Sequence, residues 1–117
     1  MNTRTQPEAL VKFHALRISL HLIRLLRPLV TKIRQSNPNL ADQIVDAASS
    51  TPANLAEGRR RIGRDRIQRF RIADGSADEV KTHLLTALAW GWLDEEECAV
   101  ALACSDELLA ITWKLTH

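Results

Sequence analysis

The feature that most constrains the fold of this chain is an unbroken helical repeat in its second half. Small and apolar residues recur there at alternating steps of three and four, namely at Phe70, Ala73, Ala77, Val80, Leu84, Ala87 and Gly91. This is a coiled-coil spacing, and its small side chains require a neighbouring helix to approach closely. The sequence ADGS at residues 73–76 has the composition of a turn. Because the repeat runs through it in register, we predict one long helix beginning after Gly63.

The first helix of the chain is predicted to be strongly apolar and to run from about Pro7 to about Gln35. Its first apolar stripe consists of Phe13, Leu16, Leu20, Ile23, Leu26, Val30 and Ile33. Its second stripe consists of Val11, Ile18, Leu22, Leu25 and Leu29. Together the stripes cover well over half of the circumference, whereas packing into one core needs an arc of only about 100°. The surplus predicts contact with another subunit. The second stripe is the candidate oligomer interface, although the pattern alone does not say which stripe faces the core.

Two more helices complete the expected fold. Helix two is expected to start after SNPN (residues 36–39), with Asn39 as its N-cap, and to continue through Pro52 with a bend. The alternative is a separate helix capped by Thr51. Helix four is expected to start at the N-cap Asp94 and to bury Val100, Cys104, Leu108, Ile111 and Leu115. The prediction is therefore an all-α fold: an antiparallel up-down-up-down four-helix bundle forming a single domain over residues 1–117.

Charge is distributed very unevenly along the chain, although the formal net charge is only +2. Residues 1–35 and residues 58–71 each carry seven bases and one acid, whereas residues 72–107 carry nine acids and one base. The basic residues therefore have enough acids to pair with in the same chain or in a neighbouring copy. This balance weakens the case for binding to a nucleic acid.

The densest basic segment is nevertheless the one feature with functional promise. Seven arginines lie within residues 59–71: Arg59, Arg60, Arg61, Arg64, Arg66, Arg69 and Arg71. Arginine binds phosphates through paired hydrogen bonds and stays charged at any physiological pH. Helical spacing puts Arg64, Gln68 and Arg71 on one side of the third helix. Two hypotheses follow: these arginines contact a nucleic-acid backbone, or they form ion pairs within and between subunits.

Catalytic motifs are absent from the sequence. It has no glycine-rich phosphate loop and no paired histidine–glutamate motif, and no nucleophilic triad is suggested. We therefore expect no enzymatic activity and no cofactor. We also expect no metal site, and we interpret His14 and His21 as surface residues.

The remaining distinctive side chains have ordinary interpretations. Cys98 and Cys104 lie six residues apart, which fits neither a zinc pair nor a redox motif, so we expect both to be buried and reduced in the cytoplasm. Trp90, Trp92 and Trp113 lie near expected helix ends and are expected to pack in the core or between subunits. No stretch is apolar enough to span a membrane.

Three short motifs resemble a known family. The stretch SSTPANLAEG (residues 49–58) carries Ser50, Pro52, Asn54, Ala56, Glu57 and Gly58. The stretch RIADGSADEV (residues 71–80) carries Ile72, Ala73, Gly75, Ser76 and Glu79, and ALAWGWLDEEE (residues 87–97) carries Trp90, Gly91, Trp92 and Leu93. This pattern resembles the four-helix-bundle proteins encoded within intervening sequences of bacterial large-subunit ribosomal RNA genes. The resemblance covers roughly residues 40–117.

The resemblance implies more than the fold. It implies assembly as a homopentamer around a central channel. The same fold is used by the accessory variability determinant of diversity-generating retroelements, a basic pentamer that binds nucleic acid and a reverse transcriptase. Those two partners are therefore implied here as well.

The motif residues are expected to have structural roles. Pro52 and Asn54 would shape the bend of helix two, next to Gly58 at its end. Gly75 and Ser76 would allow close contact between helices, and Glu57 and Glu79 would anchor polar contacts in or beside the core. The resulting hypothesis is a non-catalytic oligomeric protein that binds the RNA or DNA backbone through its arginine cluster. The alternative is a protein-interaction scaffold whose arginines form ion pairs.

Overall fold

The computed structural model describes residues 13–117, and these form four α-helices. They are α1 (His14–Ser36), α2 (Pro38–Arg59), α3 (Gly63–Trp90) and α4 (Glu95–Thr116). Each helix packs against its neighbours in sequence, and α1 also packs against α4, which closes a four-helix bundle. The short connections make consecutive helices antiparallel. The all-α bundle predicted from the sequence is therefore confirmed, and the expected start of the first helix at Pro7 lies outside the described residues.

The boundary between α1 and α2 is set by Asn37 and Pro38. The Asn37 backbone N–H donates to the Ile33 carbonyl at 2.8 Å, and its side-chain oxygen accepts from the Leu40 N–H at 3.0 Å. Asn37 therefore ends one helix and caps the next. The predicted N-cap, Asn39, is wrong by two residues, because Pro38 is suited to the first helical position, where no donor is needed. As predicted, α2 continues through Pro52 as one helix.

The core stripe predicted for α3 is confirmed, and the helix passes through residues 73–76 without a break. Its six helical members are all buried: Phe70, Ala73, Ala77, Val80, Leu84 and Ala87. The last member of the stripe, Gly91, ends the helix in the left-handed conformation, with φ 79°. That conformation suits glycine because it has no Cβ.

The buried face of α1 combines members of both apolar stripes. It consists of Ala15, Ser19, Leu22, Leu26, Leu29 and Ile33. The assignment of Leu22 and Leu29 to an oligomer interface is therefore wrong, because both are buried in the chain's own core. Ile18 and Leu25 are half-buried against the same core, and Val11 lies outside the described residues.

The buried edge of α4 was predicted only in part. Cys104 and Leu108 are buried, and Ile111 and Leu115 are partly buried against a second apolar cluster. The assignment of Val100 to the buried edge is wrong, since 62% of its surface is exposed. The helix is rotated so that its core positions are Cys98, Ala101, Cys104, Ser105, Leu108 and Thr112. The predicted N-cap Asp94 is confirmed and forms a reciprocal capping box with Glu97.

The motif residues form a polar link between α2 and α3. The Asn54 amide donates to the Ser50 carbonyl at 2.9 Å and to the Ser50 hydroxyl at 3.1 Å, and the Ser76 hydroxyl donates to the Ser50 hydroxyl at 2.9 Å. Gly58 is in close contact with α3, because a Cβ there would lie 2.8 Å from the Phe70 ring. The expectation for Gly75 is wrong within one chain, since a Cβ there meets no atom within 4 Å.

The two motif acids lie at the surface of the bundle and not in its core. Glu57 contacts Arg61 at 2.6 Å, and Glu79 contacts the His83 ring at 3.2 Å. The side chains of Glu57 and Glu79 remain 42% and 52% exposed. The Glu79–His83 contact lies within α3, whereas the Glu57–Arg61 contact joins the last turn of α2 to the segment that follows it.

Candidate nucleic-acid interface

The arginine cluster lies at the end of the bundle where α2 passes into α3. The three connecting residues are Arg60, Arg61 and Ile62, and the first two continue the α2 hydrogen bonding by donating to the Glu57 and Gly58 carbonyls. Gly63 then adopts a φ of 60°, a conformation that non-glycine residues rarely take. This tight turn packs the basic end of α2 against the basic start of α3.

Arg66 holds the turn together. Its guanidinium donates to the carbonyl oxygens of Arg61 at 2.7 Å, Arg59 at 3.2 Å and Gly58 at 3.3 Å. The last carbonyls of a helix have no partner within the helix and carry its partial negative charge. Arg66 therefore acts as a side-chain cap for α2, and its role is structural.

Arg61 is the member of the cluster with acidic partners. Its guanidinium lies 2.6 Å from a Glu57 carboxylate oxygen and 2.9 Å from an Asp65 carboxylate oxygen. The hydrogen bond from Arg61 lowers the pKa of Glu57, and the bonds to Glu57 and Asp65 raise the pKa of Arg61. The two ion pairs offset the charge of Arg61 locally, so it is less available to a ligand than the arginines of the cluster that make no ion pair within residues 13–117.

Arg59 has an aromatic partner. Its guanidinium carbon lies 5.2 Å from the centre of the Phe13 ring, which is within the range of a cation–π contact. Phe13 in turn lies against Phe70, with ring centres 6.2 Å apart. Arg59 therefore covers the apolar end of the core but remains exposed to solvent.

The remaining four arginines make no ion pair within residues 13–117 and are Arg60, Arg64, Arg69 and Arg71. Arg64 and Arg71 line one shallow depression together with Asp65, Ile67 and Gln68. The predicted grouping of Arg64, Gln68 and Arg71 on one side of α3 is confirmed. The two arginines are seven positions apart in the sequence, so their Cα atoms are about 10.5 Å apart along the helix.

The electrostatics of this end favour an anion. Arg64 lies in the first turn of α3, next to the positive end of the helix dipole, where a basic side chain is unfavourable. Asp65 is the acid in that first turn, and it already pairs with Arg61. Glu57 and Asp65 therefore offset part of the positive charge at this end, whereas Arg64 has no ion-pair partner among residues 13–117.

Sequence analysis did not identify which arginines have structural roles. Arg61 is four residues from Glu57 and from Asp65, and this spacing is a sequence signal for ion pairs, although the pair with Asp65 crosses the turn at Gly63. The capping role of Arg66 depends on how the turn at residues 60–63 folds back, which no spacing rule gives.

The tryptophans were expected to pack in the core or between subunits, and one of the three packs against the core of this chain. Trp92 packs against the core, whereas Trp90 is 69% and Trp113 57% exposed. Trp90 stacks on Trp92 with ring centres 5.6 Å apart, and Trp113 stacks on His117 at 4.3 Å. Both cysteines are buried free thiols, as expected.

Other kinds of site find no support in the part of the chain that the structure describes. No group of three or more histidine, cysteine, aspartate or glutamate side chains converges within residues 13–117. None of the helices described is long and apolar enough to cross a membrane.

The fold and the arginine-rich end define a class of protein: a small all-α bundle with basic residues clustered at one end. Within this class, the profile of the 23S rRNA-intervening sequence proteins matches residues 13–114. The chain belongs to this family.

A solved structure has the same fold. It is the crystal structure, at 1.70 Å, of a protein with unknown function from the S23 ribosomal protein family of Bacteroides thetaiotaomicron. It is similar to this chain with a TM-score of 0.78 and 21% sequence identity, over 87% of this chain and 97% of that one. No curated protein sequence gives a significant match.

Proposed function

We propose that this protein is a non-catalytic, oligomeric bundle that binds the phosphate backbone of RNA or DNA through the arginine cluster. The observation that carries the proposal is the pair Arg64 and Arg71, which share one exposed face of α3 and have no acidic partner within residues 13–117. Arg60 and Arg69 likewise have no ion-pair partner within residues 13–117. Family membership supports an association with ribosomal RNA genes.

The proposal includes assembly into a homo-oligomer, for which the family resemblance favours five copies. Several large apolar side chains remain exposed on a single chain, including Leu20 at 40%, Val45 at 43% and Val100 at 62%. Burying such side chains against another subunit would contribute about 1.5–3 kcal/mol for each one fully covered. The free thiols Cys98 and Cys104 fit a reducing compartment, so we place the protein in the cytoplasm.

The alternative function is a protein-interaction scaffold whose arginines are used in ion pairs. One observation favours it: Arg61 is held between Glu57 and Asp65. The same observation also limits it, because the other arginines of the cluster form no such pair within the described chain. The backbone-binding proposal therefore accounts for more of the cluster.

The experiment is a titration of a structured RNA and a DNA duplex with the protein at several salt concentrations. Each phosphate contact contributes about 0.9 to the slope of log K against log salt for duplex DNA, and about 0.7 for a single strand. The double variant Arg64→Gln with Arg71→Gln should lower the magnitude of the slope by about 1.4–1.8.

The matched control is the double variant Arg34→Gln with Lys81→Gln. It removes the same charge, but it does so at two surface ion pairs, with Asp42 and Asp106, away from the cluster. It should leave the slope close to that of the natural protein. Absence of binding by the natural protein at low salt would refute the proposal, as would an unchanged slope in the cluster variant.

A further inference from the structure

Two helices of the bundle carry opposite charge. Residues 14–36, which form α1, contain five lysines and arginines and no acid. Residues 95–116, which form α4, contain five acids and one base. Because the two helices are on the same subunit, a second copy could present its acidic helix to the basic helix of the first.

The charges concerned lie on the sides of the helices that point away from the core. On α1, exposed residues at steps of three and four form the α1 outer row, namely Arg17, Leu20, Arg24 and Arg27. On α4, exposed residues at the same kind of spacing form the α4 outer face, namely Glu96, Val100, Ala103, Glu107 and Ala110. None of the charged members of either set makes an ion pair within residues 13–117.

An apolar groove runs beside the α1 outer row, between α1 and α2. It has a volume of about 290 Å³ and is lined by Ile23, Leu26, Val30, Ile44, Val45 and Ala48. Arg27, Thr31 and Ser49 form its polar edge. The groove is partly open to solvent, so apolar side chains of a second helix can enter it.

The α4 outer face has the shape and the chemistry to fill this groove. Ala103 and Ala110 are small, so a helix on that side can approach closely. Val100 projects from the same face with 62% of its surface exposed and is the largest apolar side chain in the set. Glu96 and Glu107 lie near the two ends of the face, where they can meet arginines.

The spacing of the charges also corresponds. Arg17 and Arg27 are ten residues apart, which is about 15 Å along a helix, and Glu96 and Glu107 are eleven apart, or about 16.5 Å. Within one subunit two contacts join the antiparallel helices α1 and α4: the Cys104 thiol lies 3.8 Å from the Ile18 carbonyl, and the Lys32 amino group lies 2.7 Å from a Glu97 carboxylate oxygen. The α1 outer row and the α4 outer face therefore extend over the same part of the bundle.

We propose that the α4 outer face of one subunit packs against the α1 outer row and the adjoining groove of a second copy of this chain. This inference rests on the proposed homo-oligomer and specifies the surfaces that form it. The two surfaces differ, so the contact is head-to-tail, and repeated rotation about an axis parallel to the bundles closes a ring. Every subunit then covers its groove and its α4 outer face at once.

The test is a charge swap followed by light scattering. The variant Arg17→Glu with Arg27→Glu, and separately the variant Glu96→Arg with Glu107→Arg, should have the mass of one chain, 13.2 kDa, instead of the mass of the oligomer. Like charges then face each other across the contact, which is repulsive. The chain carrying all four substitutions should regain the mass of the natural oligomer, because attraction is restored with the signs exchanged. Since all four positions are exposed, helicity by circular dichroism should not change.

The control separates this proposal from nucleic-acid binding. Arg64→Glu with Arg71→Glu reverses the same amount of charge at the arginine cluster and should keep the oligomeric mass while losing nucleic acid. A natural protein that is a single chain at micromolar concentration would overturn both the assembly and this interface. If the natural protein is an oligomer and both two-residue reversals keep its mass, the proposed interface is refuted. The nucleic-acid proposal is then unaffected and is tested by its own titration.

Discussion

Ser76 on α3 donates a hydrogen bond of 2.9 Å to the hydroxyl of Ser50 on α2. The Asn54 amide, which is also on α2, donates a second hydrogen bond to the same hydroxyl. The contact joins two of the three family motifs across the most closely packed pair of helices in the chain. We therefore expect Ser76→Ala to lower the free energy of unfolding by about 0.5–1.5 kcal/mol, the usual value of one such hydrogen bond. Urea denaturation measures it.

Its matched control is Thr82→Ala, which removes an exposed hydroxyl from the same helix. That change should stay within about 0.5 kcal/mol. A double-mutant cycle of Ser50→Ala and Ser76→Ala should be non-additive, because the two hydroxyls share one bond. Additive losses would show that the bond contributes nothing to stability.

Gly58 and Gly75 form a second matched pair, since both lie inside helices but in different surroundings. Gly58→Ala places a methyl group 2.8 Å from the Phe70 ring, so the ring or the helix must shift, at a cost of about 1–3 kcal/mol. Gly75→Ala meets open space and should raise stability by about 0.5–1 kcal/mol, because alanine restricts the unfolded chain. Thermal or urea unfolding distinguishes the two. Equal effects at both positions would contradict the close approach at Gly58.

Variants of Arg66 and Arg64 should affect stability and nucleic-acid binding separately. Arg66→Lys keeps the charge but loses the planar group that reaches three carbonyls, so stability should fall by about 1 kcal/mol while the salt slope of nucleic-acid binding is kept. Arg64→Gln should change the free energy of unfolding by no more than about 0.5 kcal/mol, but it should lower the magnitude of the salt slope of nucleic-acid binding. Both variants require one unfolding curve and one salt titration. A loss of stability in Arg64→Gln would assign that residue a structural role.

The start of α4 should give the protein a pH-dependent stability. The hydrogen bond from Lys32 and that from the Asp94 backbone lower the pKa of Glu97 below its ordinary value of 4.5. The bond to Glu97 raises the pKa of Lys32 above 10.5. The carboxylate is favoured in the folded state, so its contribution is complete above pH 4.5 and is lost as the pH falls through its lowered pKa. The contribution of Lys32 is complete below 10.5 and is lost as the pH rises through its raised pKa.

Glu97→Gln isolates this charge, because glutamine can still accept the capping hydrogen bond of the Asp94 N–H. The difference in unfolding midpoint between the natural protein and this variant should be largest near neutral pH and should shrink at acid pH. Glu95→Gln is the control, since Glu95 lies in the same turn without an ion pair among residues 13–117. A difference for Glu97→Gln that is independent of pH would contradict the ion pair.

The parts of the fold that the sequence predicted are those where one face of a helix is clearly distinct. In α3 a single repeat of small and apolar residues runs at steps of three and four from Phe70 to Ala87. Its members could be assigned to the core, although Ile67, Ile72 and Leu85 lie exposed on other sides of the helix. In α1 and α4 apolar residues occupy more of the circumference. The rotation of the helix is then decided by packing, and for this reason Leu22 was assigned to an interface and Val100 to the core.

The candidate site, too, could be predicted from the sequence only in part. The segment rich in arginine and the shared side of Arg64 and Arg71 follow from composition and helical spacing. The division of the cluster into structural and available arginines does not, because it depends on the turn at Gly63 and on carbonyl groups that carry no sequence signal. Neighbouring residues with identical side chains therefore have different roles.

The bracing of the turn by Arg66 has a thermodynamic consequence for any ligand of the arginine cluster. A basic segment on a disordered chain must lose backbone freedom when it binds, at about 1–2 kcal/mol for each residue that becomes fixed. Here the backbone that carries Arg60, Arg64 and Arg71 is held between two helices before a ligand arrives. Association then restricts mainly side-chain torsions, so its entropy cost is small and its heat capacity change reflects little more than the surface that is covered.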